Sequence, residues 1–334
     1  MVKVAILGFG FMGRTHADAY VRMPNARLVA VGGLQPGERV TWKPPYDVKF
    51  YEAFDAILQD TNIDVIDICV PTFMHEELVI QCAEFGKQAI CEKPLAFSVS
   101  SFDRMIAAVQ RTGVRLMVAQ VVRFFGHYVR ARQLVHDGVL GEVSYAWAAR
   151  LSEPPRWAAW FQDPAKSGGA LFDLHVHDVD YMVSLFGQPN RVFCTGVQSD
   201  AGAWNQVLNV LEYEKTRVAI EANYMMAPGW PFTTGLRVVG SGGSLEYGFR
   251  VAGNVESVSR AQNDFVLYLT GQPAQKIEIV DPDPYFTELQ YFVNCIEKNE
   301  DAEMVPLSEV RQVLGVIEAA RHSLETGLPV QVER

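Results

Sequence analysis

Lys3-Val4-Ala5-Ile6-Leu7-Gly8-Phe9-Gly10-Phe11-Met12-Gly13-Arg14-Thr15-His16 is the stretch whose reading decides the fold. A β-branched and aliphatic run stops at Gly8, and a helical pattern follows to about Arg22, ahead of Pro24. Between them lies G-x-G-x-x-G, a weak signal alone but a specific one when it leaves a strand and opens a helix. Glycines permit the tight turn and close backbone approach, and the helix start offers free N–H groups and a positive dipole end to a pyrophosphate. Gly8, Phe9, Gly10, Phe11, Met12 and Gly13 are therefore expected to line a dinucleotide.

Outward from that loop, short apolar runs alternate with amphipathic stretches. Strands are expected at Arg27 to Val31, Val65 to Val70, Gln88 to Cys91 and Arg115 to Gln120, with helices at His75 to Phe85 and Ser100 to Thr112. Gly86 and Gly113 stand where helices end. Strand–helix alternation with connections this short means a doubly wound parallel sheet of the Rossmann type. Beyond Gln120 the rhythm changes. A helix from about Leu171 to Leu185 precedes consecutive strands, among them Asn205–Tyr213, Val218–Tyr224 and Leu236–Val239, and two helices follow, Tyr285–Asn299 and Ser308–Thr326. That order predicts an α+β domain with a largely antiparallel, open-faced sheet. The expected division is residues 1–121 for dinucleotide binding and 122–334 for substrate binding and oligomerisation.

Composition narrows the class. The 334 residues are 49% apolar and 20% charged, which excludes a disordered or collagen-like chain. With 29 basic and 39 acidic residues the net charge is −10 and no basic stripe is visible, so neither nucleic acid nor a membrane surface is an expected partner. The first apolar run ends at Gly8, too short for a secretion signal, and a cytoplasmic location is expected. Cys69, Cys82, Cys91, Cys194 and Cys295 have no paired spacing and apolar neighbours, which suits reduced, buried thiols rather than disulfides or zinc.

Ligands of a doubly wound sheet gather at the carboxyl ends of its strands. Pro71 and Thr72 end one strand with His75 just beyond, Glu92-Lys93-Pro94 ends the next, and Gln120 ends the last. These join the expected cofactor contacts, with Lys93 aimed at the nicotinamide end. The acid that usually accepts the ribose hydroxyls, about 20 residues past the glycine motif, is missing. Val31-Gly32-Gly33-Leu34-Gln35 stands there instead, with Arg14 and Arg39 the nearest cations. The cofactor is thus NADP or NAD with a lean to NADP, and Gly33→Asp is expected to shift preference toward NAD.

The second constellation runs from Ser167-Gly168-Gly169-Ala170-Leu171-Phe172-Asp173 to Asp180. On a helix, Asp173, His177 and Asp180 share a face, being spaced by four and three residues. His175 lies about 200° round from His177, so the two imidazoles cannot converge on one metal, and no metal is expected. Trp157, Trp160 and Phe161 precede the motif as candidate sugar-stacking faces or core contacts.

Taken in order, Gly-x-Gly-x-x-Gly-Arg-Thr-His, Glu-Lys-Pro and Gly-Gly-Ala-Leu-x-Asp-x-x-x-His resemble the glucose–fructose oxidoreductase / inositol dehydrogenase (Gfo/Idh/MocA) family over essentially the whole chain. The resemblance extends to Gln120-Val121-Val122-Arg123-Phe124 and Gly243-Ser244-Leu245-Glu246. It implies catalytic roles for Lys93, Asp173 and His177, and a homodimer or homotetramer. It also implies hydride transfer between nicotinamide and a secondary alcohol or ketone of a sugar, polyol or inositol-like substrate. His177 has the residue type of a general base, Lys93 of an oxyanion donor, and Asp173 of a hydroxyl acceptor, with Asp180 a partner for the imidazole. Arg123 and Trp160 are weaker substrate candidates. His175 stands where the family often has glycine. The competing reading is a dinucleotide-sensing regulatory protein on the same fold, which would have no use for that trio.

Overall fold

A computed structural model describes residues 1–33, 42–156, 158–251, 262–279 and 282–333. The chain divides into two compact units, Met1–Phe124 with Pro282–Val310, and Phe125–Asp281 with Arg311–Arg334. The first break falls three residues beyond the expected one. The larger difference is that 282–310, expected in the second domain, returns to the first.

The first unit is a six-stranded sheet in the order β3-β2-β1-β4-β5-β6, every pairing parallel. Its strands are β1 (Val2–Leu7), β2 (Ala26–Gly32), β3 (Lys49–Tyr51), β4 (Val65–Ile68), β5 (Gln88–Glu92) and β6 (Leu116–Ala119). Val4, Ala5, Ile6 and Leu7 are wholly buried, as are Val65, Ile66 and Ile68. A parallel strand covered on both faces needs such a continuous apolar run. The covering helices are α1 (Phe11–Tyr20), α2 (Phe54–Gln59), α3 (His75–Glu84) and α4 (Val99–Thr112). Helix α4 has both ends specified, since Ser98 Oγ accepts from the Ser101 amide and Gly113 closes it at φ 73°.

The returning segment explains itself physically. In the helix Pro284–Lys298, Asp283 caps the start, and Leu289, Phe292 and Val293 are fully buried. Burial of each such side chain stabilises by roughly 1.5–3 kcal/mol. Asp283 also pairs with Arg22, and Asn25 donates to Asn294 at 3.0 Å, both at the end of α1 or just after it. The amphipathic pattern of this helix is legible in the sequence, but its partner is not.

The second unit carries a nine-stranded sheet, β14-β13-β12-β11-β7-β10-β9-β8-β15. These are β7 (Val143–Leu151), β8 (Arg191–Gln198), β9 (Trp204–Glu212), β10 (Arg217–Asn223), β11 (Phe232–Gly240), β12 (Gly243–Val251), β13 (Gln262–Leu269), β14 (Gln275–Lys276) and β15 (Val330–Gln331). All pairings are antiparallel except β7 with β10. One face, including Val207, Leu211, Val218, Ile220, Leu236 and Val238, is buried. The other exposes Phe193, Val197, Leu208, Tyr145 and Tyr268. The expected helix at 171–185 is two consecutive helices, Gly169–Asp173 and His175–Phe186, meeting at Leu174, whose backbone stays helical.

Among the described residues no helix is long and apolar enough to cross a membrane. All five cysteines are free thiols.

Candidate active site

The glycine loop of the first unit has a separate reason at each glycine. Gly8 has φ 90°, and a Cβ there would meet the Cys69 carbonyl oxygen at 2.7 Å. A Cβ at Gly13 would lie 2.0 Å from the Gly8 oxygen, so this residue sets how closely α1 approaches β1. A Cβ at Gly10 would meet nothing within 4 Å. Gly10 is also the N-cap of α1, with no side-chain cap and no acid in the first turn. An exposed, uncapped helix start facing open space is the environment a pyrophosphate needs. Phe11 is exposed and Met12 half-buried, whereas the Phe9 ring turns inward, edge-on to Trp42 at 5.0 Å between centroids.

At the strand ends, Pro71 precedes the short turn Thr72–Met74, with Thr72 buried. Gln120 follows β6, 1% exposed, and its Oε1 has no hydrogen-bond partner. A buried carbonyl left unmatched costs about 1–3 kcal/mol, so it fits a ligand donor such as a carboxamide. Lys93 is half-buried and is joined to Pro94 by a cis peptide bond.

Three expected ligand contacts are turned inward. His75 is 1% exposed, with one ring nitrogen 3.0 Å from the Pro94 carbonyl and the other 2.9 Å from that of Val70. It therefore ties the exit of β4 to the Lys93-Pro94 turn, and burial pushes its pKa down. Glu92 accepts the Lys93 backbone N–H at 3.0 Å and faces the buried His16. The Arg123 guanidinium has no exposed side-chain surface and is engaged by the Met304 carbonyl at 3.0 Å and Glu309 at 2.5 Å. Its place at a strand end is legible in the sequence, but not the direction its side chain takes. Arg39 and Trp157 lie outside the described residues.

In the second unit the sequence builds a floor and leaves two groups above it. Gly168 and Gly169 both take left-handed φ, 68° and 67°, and a Cβ at Gly169 would meet the Trp204 oxygen at 2.9 Å. Asn205 Oδ1 then accepts from the Ala170 amide at 3.2 Å, supporting the start of the first helix. Along 173–180, His175, Asp178 and Asp180 are buried while Asp173 and His177 are half-exposed. Arg150, from β7, holds Asp178 with two parallel bonds of 3.0 Å. His175 contacts the Asn209 amide at 3.0 Å, and burial lowers its pKa to about 3, so it is a neutral core residue.

Tyr224, missed by sequence reasoning, donates its phenol O–H to the Asp173 carboxylate. It is 5% exposed, and burial and then the Asp173 charge raise its pKa well above the usual tyrosine value. The partners are 51 residues apart, and nothing local in the sequence signals the pair. Trp160 is half-buried and stacks on Phe161 at 3.9 Å between centroids.

Fold and glycine loop together define a dinucleotide-binding protein. Residues 2–120 match the model of the oxidoreductase family with an NAD-binding Rossmann fold, and residues 128–246 match the GFO/IDH/MocA C-terminal domain. The chain belongs to the Gfo/Idh/MocA family of NAD(P)-dependent oxidoreductases. It is 28% identical over 345 residues to scyllo-inositol 2-dehydrogenase (NAD(+)) of Bacillus subtilis, covering 99% of this chain and 96% of the relative. It is 34% identical over 199 residues to 2,7-anhydro-N-acetylneuraminate hydratase of Mediterraneibacter gnavus, covering 58% and 52%. Levoglucosan dehydrogenase in complex with NADH shares the fold at TM-score 0.85 and 20% identity, covering 100% and 99%.

Proposed function

We propose that the chain transfers a hydride between a nicotinamide dinucleotide and one secondary alcohol carbon of a sugar, polyol or inositol-like substrate. The observation that carries this reading is the exposure pattern of 173–180, where Asp173 and His177 alone among the acids and imidazoles reach the surface. The relative that acts on scyllo-inositol supports the substrate class.

Gly8 to Gly13 would hold the pyrophosphate, and Gln120 the nicotinamide end. When bound, the dinucleotide supplies the hydride acceptor or donor. His177 takes the hydroxyl proton as the carbon is oxidised, since an imidazole is matched to neutral pH. Lys93 donates to the reacting oxygen and stabilises its developing negative charge. Asp173, oriented by Tyr224, accepts from a neighbouring hydroxyl.

NADP is proposed to serve at least as well as NAD, because Gly33 follows β2 where a ribose-binding acid would stand. Gly33 has φ 72° and its Cβ would meet the Phe54 ring at 2.9 Å, so Gly33→Asp would be strained. The wild-type preference is the better measurement. A homodimer or homotetramer would cover the exposed sheet face, and Leu208→Glu should lower the mass seen by light scattering.

The deciding experiment is a panel of sugars, inositols and sugar acids followed at 340 nm with each dinucleotide. Absorbance change with one polyol class supports the reading. Substrate conversion without net dinucleotide reduction would favour the hydratase-like course suggested by the second relative. Binding of dinucleotide without conversion of any substrate would favour a sensor.

A further inference from the structure

Beneath the first unit's candidate site lies a buried polar cluster that hydride transfer does not itself require. His16, on α1, has no exposed surface and lies between two carboxylates. Its Nδ1 is 2.8 Å from Asp67 Oδ2, on β4. Its Nε2 is 3.3 Å from Glu92 Oε1, at the end of β5, an ion-pair contact rather than an aligned hydrogen bond. The other Glu92 oxygen accepts the Lys93 backbone N–H at 3.0 Å.

Further groups stand around His16 among the described residues. Tyr20 O–H donates to Asp67 at 2.9 Å, and the Cys69 thiol lies 3.4 Å from both Asp67 and His16 Nδ1. From the helix 284–298, the Tyr285 ring stands 6.4 Å away, and the wholly buried Glu288 acts on Tyr20. Buried acids thus surround a single imidazole. The imidazole of His16 contacts the carboxylates of both Asp67 and Glu92, and as an imidazolium it gives each of them a partner of opposite charge.

His16, Asp67 and Cys69 also have the spacing of a metal triad, with ligand atoms within 4.8 Å of one another. The 2.8 Å separation of His16 and Asp67 is a hydrogen bond already made, and the hydrogen-bond reading accounts for all three residues without an ion.

We propose that His16 is a positioning residue for Lys93. As an imidazolium anchored on Asp67, it draws the Glu92 carboxylate inward, and Glu92 fixes the backbone amide of Lys93 and hence the direction from which the ammonium reaches the reacting oxygen. This inference rests on the dehydrogenase reading for its catalytic consequence, but not for the link itself. A misplacement of about 1 Å can cost about 10²-fold in rate, so a partial loss of the anchor has a measurable effect.

The test uses the full chain and three variants. His16→Asn keeps a donor near Asp67 and loses the reach to Glu92. Glu92→Met removes the acceptor while leaving the His16–Asp67 pair intact, which protects folding. Glu92→Gln keeps an oxygen for the Lys93 amide, and its NH2 can donate to a neutral His16. Hydrogen exchange of the Lys93 amide is read by NMR in lysine-labelled protein, its resonance identified by its loss in Lys93→Met. Exchange should quicken by about tenfold or more in His16→Asn and Glu92→Met and stay near wild type in Glu92→Gln. Turnover should fall about tenfold in the first two and within about threefold in the third, with dinucleotide Kd changed less than about twofold in all.

Unchanged Lys93 exchange in Glu92→Met would overturn the link. Equal losses in all three variants would reduce the cluster to a packing role and overturn the positioning claim. If the wild type converts no sugar or polyol, the dehydrogenase reading fails, and the contrast in exchange between Glu92→Met and Glu92→Gln still decides the link.

Discussion

The floor under Lys93 and the floor under Asp173 and His177 each contain a fully buried histidine, and their surroundings push the two pKa values in opposite directions. His16 has a carboxylate at 2.8 Å, and His175 has an amide at 3.0 Å. Burial pulls both toward the neutral form. For His16 the charge of Asp67 and the hydrogen bond to it more than offset burial and raise the pKa well above 6.5. For His175 nothing opposes burial, and the value drops to about 3. Burial favours the neutral imidazole, and a carboxylate within hydrogen-bond reach can reverse that preference where a neutral amide does not. The second unit places its buried charge elsewhere, on Arg150 and Asp178.

The largest expected effects sharpen the contrast between floor and exposed group. Lys93→Met and His177→Ala should each lower turnover by about 10²–10⁴-fold with cofactor affinity nearly intact, measured by steady-state kinetics beside direct dinucleotide titration.

Next in size is the buried pair of the second unit. Arg150→Met leaves Asp178 without its partner and should cost about 3–5 kcal/mol in denaturant unfolding. Arg150→Met with Asp178→Leu should recover most of that loss, because a matched apolar pair leaves no stranded charge.

The two histidines then predict opposite pH slopes. The native chain binds the His16 proton more tightly than the unfolded chain, so this stabilisation is complete below about pH 6.5 and is lost as pH rises through the raised native value. His175 is the reverse. The unfolded chain binds its proton first, so stability falls as pH drops from about 6.5 toward 3, by on the order of a few kcal/mol. His16→Asn should flatten the alkaline limb of stability against pH, and His175→Gln the acid limb. Flattening of the same limb by both would break the comparison.

The smallest effect concerns Tyr224. Tyr224→Phe removes one hydrogen bond to a carboxylate and should lower kcat/KM by about tenfold without moving Tm more than a few degrees.

What the sequence disclosed was contiguous. The Gly8–Gly13 loop, Glu92-Lys93-Pro94 and Gly168 to His177 are each read within a dozen residues, where strand and helix periods place every member. The strand β3 and helix α2 escaped, being only 3 and 6 residues long with no marked period. The pairs Tyr224–Asp173, Arg150–Asp178 and His16–Glu92 join separate elements, and no local pattern reports them. His75, Glu92 and Arg123 show the converse. Their positions at strand ends were legible, but their side chains turn inward, and direction is a property of packing.

The most direct measurement is the turnover of the Lys93→Met/His177→Ala double variant beside its two single variants. Groups acting on one oxygen and its proton work as a unit, so the double variant should be no slower than about threefold below the poorer single. A loss equal to the product of the two single losses would show that Lys93 and His177 act independently, and would contradict the assignment of both to one hydride transfer.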